Sequence, residues 1–374
     1  MRVRGAVLRE MGLPTPYARS RPLDLVELEL DAPGAGELLV RVGAAGLCHS
    51  DLSVIDGSRP RVMPMVLGHE AAGEVEAIGP GVEGIVPGDH VVLAFVPACG
   101  HCAPCQTGRP ALCEPGGAAN AAGTLLSGAR RWRVPGGEMH HHLGVSAFAE
   151  RVVVSARSAV RIDLAIPFEI AALFGCAVLT GVGAVVNAAG VREGESVAVF
   201  GLGGVGVAAL IGARLAGAGL LVAVDLHPDK LALARELGAT HALAAGEATV
   251  QEVRDITGGG AQRTIETVGS ERVLAQAYAA TRRGGTTVTV GLPHPERMLC
   301  IPAVSLVAEE RTLRGSYLGS SVPAADIPRY VELYRAGRLP VDRLLSHRLA
   351  PEELNEGFDR LTRGEAVRQA VVFS

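Results

Sequence analysis

Residues 196–210 read SVAVFGLGGVGVAAL. The opening SVAVF is a short apolar run closed by glycine, the pattern of a buried strand, and the alanine- and leucine-rich continuation GVAALIGARLAGA reads as a helix. Between them Gly201, Gly203 and Gly206 stand as G-x-G-x-x-G, with Gly204 and Val205 completing the turn. Glycines at these places let the backbone approach a pyrophosphate, which rests on the positive end of the following helix. In a chain with 48 glycines the motif alone is weak. Context strengthens it: LLVAVD is a second strand, ending in Asp225 nineteen residues after Gly206. An acidic residue there accepts the ribose hydroxyls and repels a 2′-phosphate, so the pattern predicts NAD rather than NADP.

Beyond this unit HPDKLALARELGA reads as a helix stopped by Gly238. Further strands are expected at RTIETVG, TTVTVGLP and TLRGSYLG, with helical stretches between them. Strand–helix alternation predicts an α/β fold, a doubly wound parallel sheet covered on both faces. Upstream, ELLVRVGAAG, AAGEVEAIG, DHVVLAF and FAERVVVS are β-type runs punctuated by Gly and Pro, the mark of a β-rich domain. The Gly-, Ala- and His-rich stretch 116–147 is expected to be a long loop. Near the C-terminus AADIPRYVELYRAGRL and EELNEGFDRLTRG are amphipathic, and QAVVFS reads as a strand.

The 374 residues are 48% hydrophobic and carry a net charge of −4. That length suits two domains rather than one core. The mild negative balance speaks against nucleic acid as a partner, which would favour a basic face. Positive charge is almost all arginine, with one lysine, Lys230. The start, MRVRGAVLRE, has no apolar core of the signal-peptide kind. The longest uncharged stretch, Ile170 to Val186, is short for a bilayer span and carries glycines, so it is read as a buried segment and no membrane is expected. Seven cysteines, an odd number and mostly clustered, suit a reducing cytoplasm better than a disulfide framework.

Four of those cysteines lie in CGHCAPCQTGRPALC, as Cys99, Cys102, Cys105 and Cys113. Such close spacing on a tight loop disfavours mutual disulfides. Four thiolates can converge on one cation, and a site with every position filled is a structural zinc. An iron–sulfur cluster has closer spacing and a proline after its last cysteine; unliganded buried thiols are the remaining alternative. Three further candidate ligands stand far apart: Cys48 in GLCHSD, His69 in GHEAAGEVEAIGPGV and Cys176 in FGCAVLTG. Two thiolates and an imidazole match a catalytic zinc with an open fourth position. Singly, Cys176 also reads as apolar filler and His69 as a turn histidine.

The stretch GHEAAGEVEAIGPGV matches G-H-E-x2-G-x5-G-x2-V, the zinc signature of the medium-chain, zinc-dependent alcohol dehydrogenases. The cysteine cluster, GLCHSD, FGCAVLTG, AVFGLGGVG and LNEGFDRLTRGEAVRQAVVF resemble segments of that family in the same order, end to end. The loop before HHHLGVSAFAE resembles the animal and class III branch. The resemblance implies a GroES-like, β-rich catalytic domain over residues 1–177, completed by 319–374. A Rossmann coenzyme domain would occupy 178–318, the active site lying in the cleft between the two. Cys48, His69 and Cys176 would bind the catalytic zinc, with Asp51 orienting His69 and Glu70 behind the metal. Ser50 would take the proton of an alcohol whose hydride passes to NAD. Lys230 would contact the adenosine ribose, His49 and Arg368 the pyrophosphate, and Thr180 the nicotinamide. His49 and Arg368 also read as ordinary surface charge, and Thr180 as a core residue.

By the same resemblance Phe95, His142 and Leu143 would line the substrate pocket, with Leu292 near the nicotinamide. The run His140–His142 also reads as a bland loop or a stray metal patch. Two departures stand out. Ser53 occupies the place of a histidine that often continues the proton relay. Arg59 and Gly117 stand where glutathione-dependent formaldehyde dehydrogenases carry Asp and Arg. The expected function is therefore interconversion of a primary aliphatic or aromatic alcohol and its aldehyde, with two zinc ions per chain and a homodimer joined through the nucleotide domains. A thiol-dependent formaldehyde dehydrogenase is the alternative, and a non-enzymatic member of the fold the more distant one.

Overall fold

The computed structural model describes residues 1–134 and 137–373. Its contacts divide the chain into two units: Met1–Cys176, Val322–Glu332 and Leu345–Ser374 form one, Ala177–Ser321 and Leu333–Leu344 the other. The return to the first unit expected at 319 comes instead at Val322, and Leu333–Leu344 packs with the second unit.

The second unit is built on a six-stranded sheet. Across it run His241–Ala244, Leu220–Asp225, Ser196–Phe200, Ala261–Glu266, Thr281–Thr289 and Thr312–Gly315. Every neighbouring pair is parallel. The order reverses direction beside Ser196–Phe200, the doubly wound arrangement whose ligands gather at the carboxyl ends of the strands. One apolar cluster joins Phe200, Val222 and Val224 of the sheet to Val253, Ala277 and Ala280 of two covering helices. Elsewhere helix Gly204–Leu215 packs on Ala177–Gly183, and glycine permits the closeness: a Cβ on Gly181 would stand 2.3 Å from the Val205 carbonyl oxygen.

The first unit carries two sheets, as its non-local β-type runs predict. In the larger, Glu37–Leu47 pairs antiparallel with Ala71–Ile78, Arg151–Ser155 and Arg368–Val372. In the smaller, Arg2–Leu8 runs between Leu23–Leu30 and Met65–Val66. The stretch 116–147 departs from the expected loop. It shares the helix Glu114–Ala122, whose alanines favour helix and whose first turn is capped by the Cys113 sulfur accepting from the Gly116 N–H. Short strands follow at Trp132–Val134 and His140–His141.

Among the described residues no single helix is long and apolar enough to cross a membrane. The uncharged stretch is buried from Ile170 to Val185.

Candidate active site

Each candidate ligand of the first unit sits where a strand ends or a turn begins. Cys48 follows Glu37–Leu47 and opens the helix His49–Ile55. His69 and Glu70 precede Ala71–Ile78. Gly68, at φ +91, makes the turn into them, and a Cβ there would stand 2.6 Å from the Phe148 nitrogen. Cys176 follows a tight turn in which a Gly175 Cβ would meet the Leu93 carbonyl oxygen at 2.5 Å. Gly46 has the same logic: a Cβ would lie 2.6 Å from Glu70 Oε1, so only glycine leaves room for that carboxylate.

These turns bring Cys48, His69, Glu70 and Cys176 together, all buried, with one ligand atom from each within 4.8 Å of the others. His69 Nδ1 lies 3.0 Å from Asp51 Oδ1, which fixes the ring, while His69 Nε2 is buried without a partner. Both Glu70 oxygens lack hydrogen bonds, and Glu70 Oε2 stands 3.4 Å from Arg368 Nη2 as an ion pair. Arg368, read from sequence as a pyrophosphate contact, is thus buried beside Glu70 and donates to the Leu47 carbonyl at 2.9 Å.

The charges are strongly interdependent. A hydrogen bond from the Cys176 thiol drives Cys48 well below its usual pKa, against burial and aided by Arg368 and His69; the same bond raises Cys176. Burial alone would depress His69, but Asp51 and Cys48 outweigh it and hold the imidazole high. Burial pushes Glu70 to about 7 despite Arg368. An orphaned imidazole nitrogen and two cysteine sulfurs converging in a buried site fit a divalent cation of zinc's preferences, which would displace the sulfurs' protons.

The four-cysteine loop passes the same test. Cys99, Cys102, Cys105 and Cys113 place their sulfurs within 4.8 Å of one another. The sulfurs accept backbone N–H groups, Cys113 from Cys99 at 3.2 Å and Cys99 from Cys102 at 3.3 Å. Donors aimed at sulfur favour the thiolate, the form in which cysteine binds metal, and bring Cys99 down to about 7 against burial, while burial pushes Cys105 and Cys113 up.

Around the cage, Phe95 stands edge-on to His69 with ring centroids 5.2 Å apart. His142 is 1% exposed. Its Nδ1 lies 3.1 Å from Asp51 Oδ1, off the line of a hydrogen bond, and its ring centroid is 5.6 Å from that of His69. Leu143 is buried at φ 52. His49 is exposed and Ser50 half-buried on the same helix. The Ser53 hydroxyl donates back to the Ser50 carbonyl at 3.0 Å. Arg59 is half-buried, and Gly117 lies exposed on Glu114–Ala122.

In the second unit Gly201 takes φ +91, and a Cβ on Gly206 would stand 1.8 Å from the Gly201 carbonyl oxygen. Nothing lies within 4 Å of where a Gly203 Cβ would be, so backbone there is open to a ligand. The twelve-residue helix Gly204–Leu215 has no side-chain cap, leaving its first N–H groups for an anion. Asp225 is buried, accepting from Leu202 N at 2.6 Å and His227 N at 2.9 Å. Lys230 is also buried; burial lowers its pKa and Asp225 opposes that. Thr180 is buried and Leu292 exposed. Sequence reasoning passed over Glu266, whose signal was a carboxylate ending the strand expected at RTIETVG.

A dinucleotide-type sheet and a metal cage of two sulfurs and an imidazole define an oxidoreductase that pairs a nicotinamide cofactor with zinc. The Alcohol dehydrogenase GroES-like domain profile matches residues 34–164 and the Zinc-binding dehydrogenase profile residues 204–336. The chain belongs to the zinc-dependent medium-chain alcohol dehydrogenase family. It is 39% identical to the NDMA-dependent alcohol dehydrogenase of Amycolatopsis methanolica, both chains covered in full. It is 34% identical, again over the whole of both chains, to the S-(hydroxymethyl)glutathione dehydrogenase of Paracoccus denitrificans. The crystal structure of benzyl alcohol dehydrogenase from Acinetobacter calcoaceticus superposes with a TM-score of 0.93 at 32% identity, covering all of each chain.

Proposed function

We propose that this enzyme interconverts a primary aliphatic or aromatic alcohol and its aldehyde by hydride transfer to NAD, with one catalytic and one structural zinc per chain. The observation that carries the reading is the buried convergence of Cys48, His69 and Cys176 with an unpartnered His69 Nε2. When bound, zinc supplies Lewis acidity at the substrate hydroxyl and the nicotinamide ring supplies the hydride acceptor.

Asp51 holds His69 in the tautomer that leaves Nε2 free for the metal. Glu70, balanced by Arg368, offers a carboxylate behind the cage. Ser50 takes the hydroxyl proton, and Ser53 does not continue that relay, since its hydroxyl is turned to the Ser50 carbonyl. Phe95 and Leu143 form apolar wall, which favours an uncharged substrate. The four cysteines 99–113 hold a zinc that pins their loop. Asp225 sets NAD over NADP, with Gly201, Gly203, Gly204, Val205, Gly206 and Lys230 completing the coenzyme seat.

A second reading, a thiol-dependent formaldehyde dehydrogenase, is favoured by the Paracoccus relative and opposed by Arg59 and Gly117. The Amycolatopsis relative is named for NDMA dependence, so the acceptor is tested too. We further propose a homodimer joined through the second unit. It is supported by the edge strand Thr312–Gly315 and by exposed Met298, Val304 and Val307 just before it. A reducing, cytoplasmic location suits seven free cysteines.

The deciding assay follows both NADH and oxidised product, with and without added NDMA, for aliphatic and benzylic alcohols and for formaldehyde plus or minus thiols, before and after zinc chelation. Chelator-sensitive oxidation of a simple alcohol without thiol is the expected result. Turnover only of formaldehyde with thiol would establish the second reading. Turnover only when NDMA is added would overturn free NAD as the acceptor.

A further inference from the structure

Glu266 ends the strand Ala261–Glu266 and is 1% exposed, and nothing in the proposed chemistry uses it. Its two oxygens are fully engaged. Oε1 accepts the backbone N–H groups of Val268 and Gly269, each at 2.7 Å, and Oε2 accepts the Thr289 hydroxyl at 2.6 Å. All three partners are donors, which calls for the carboxylate form. Burial pushes its pKa up, and these same donors work against that.

Two of the donors belong to the loop that leaves the carboxyl end of Ala261–Glu266; the third, Thr289, is the last residue of the adjacent parallel strand Thr281–Thr289, from which the 290–292 loop leaves. The loops are pressed together. A Cβ on Gly291 would stand 2.1 Å from the Gly269 nitrogen and 3.1 Å from Glu266 Oε2, and one on Gly269 would stand 2.9 Å from the Leu292 nitrogen. The first loop also grips the glycine-rich turn, where Thr267 Oγ1 donates to the carbonyls of Phe200 at 3.1 Å and Gly201 at 3.0 Å. What this arrangement holds out is apolar: Val268 is 51% and Leu292 43% exposed. Two free apolar side chains at the carboxyl edge of a doubly wound sheet stand where ligands bind in such sheets.

We propose that Glu266 is a positioning residue, whose carboxylate clamps the 267–269 and 290–292 loops so that Val268 and Leu292 form an apolar wall for the nicotinamide half of the dinucleotide. The proposal rests on the coenzyme seat described above. Glu266 touches neither coenzyme nor substrate; it acts through the two loops.

The test titrates the full-length, zinc-loaded protein with NADH and, separately, with ADP-ribose, which lacks the nicotinamide ring. Glu266→Ala removes the acceptor of three buried donors and is expected to weaken NADH about tenfold. ADP-ribose should change less than about twofold, since its seat lies at Asp225 and the helix terminus. Glu266→Gln, whose amide oxygen still accepts the two N–H groups, should restore most of the NADH affinity. An unchanged NADH affinity in Glu266→Ala, or equal weakening of both ligands, overturns the clamp. If that variant does not fold, Thr289→Val, which removes one donor, decides by the same ratio. Failure of the parent protein to bind either ligand would instead sink the coenzyme reading, and the clamp with it.

Discussion

At the residue scale, one carboxylate oxygen serves several neighbours. Asp51 Oδ1 lies 3.0 Å from His69 Nδ1 and 3.1 Å from His142 Nδ1, and it accepts the Gly68 N–H at 3.2 Å. Burial would raise its pKa, but the two imidazoles bring it below the usual carboxylate range. Replacing it therefore frees the His69 ring as well as removing charge. Asp51→Ala should weaken zinc at the catalytic cage roughly 10- to 100-fold, read by competition with a chromogenic chelator, while the four-cysteine zinc is retained. The grouping of Cys48, His69 and Cys176 was legible only through the family resemblance, because nothing local in the sequence brings such distant positions together. Arg368 is expected from the resemblance as a pyrophosphate contact, but its pairing with Leu47 and Glu70 was not legible, because those partners are some three hundred residues distant and no local pattern encodes it.

Among the elements, the strand–turn–helix at 196–215 was readable because its determinants are consecutive: an apolar strand, glycines at a forced turn and an alanine-rich helix. Gly206→Ala tests it. The added Cβ would stand 1.8 Å from the Gly201 carbonyl. The expected cost is about 3 kcal/mol of stability, by denaturant titration, together with loss of measurable NADH binding. The β-rich half was readable only as a class. Alternation marks Glu37–Leu47 as a strand, but its three partners come from residues 71–78, 151–155 and 368–372, and that register depends on long-range packing. The helix Glu114–Ala122 escaped notice because Gly116 and Gly117 mask the alanines that follow.

For the whole molecule, the proposed dimer gives a direct measurement. Val304→Lys with Val307→Lys places charge on exposed apolar positions. Sedimentation should shift the protein from dimer to monomer, with secondary structure unchanged by circular dichroism. A parent protein that is already monomeric would refute the assembly.

The strand Arg368–Val372 lies one place in from an edge of the larger sheet of the first unit, between Glu37–Leu47 and the edge strand Leu345–Leu349. A ribosome delivers the chain from its N-terminal end. The sulfurs and imidazole of the cage, at 48, 69 and 176, thus emerge well before the guanidinium of Arg368 that offsets Glu70. Assembly of this centre is ordered in time: a nascent chain first presents metal-binding groups with an excess of negative charge, and the site reaches its electrical balance only when Arg368 follows.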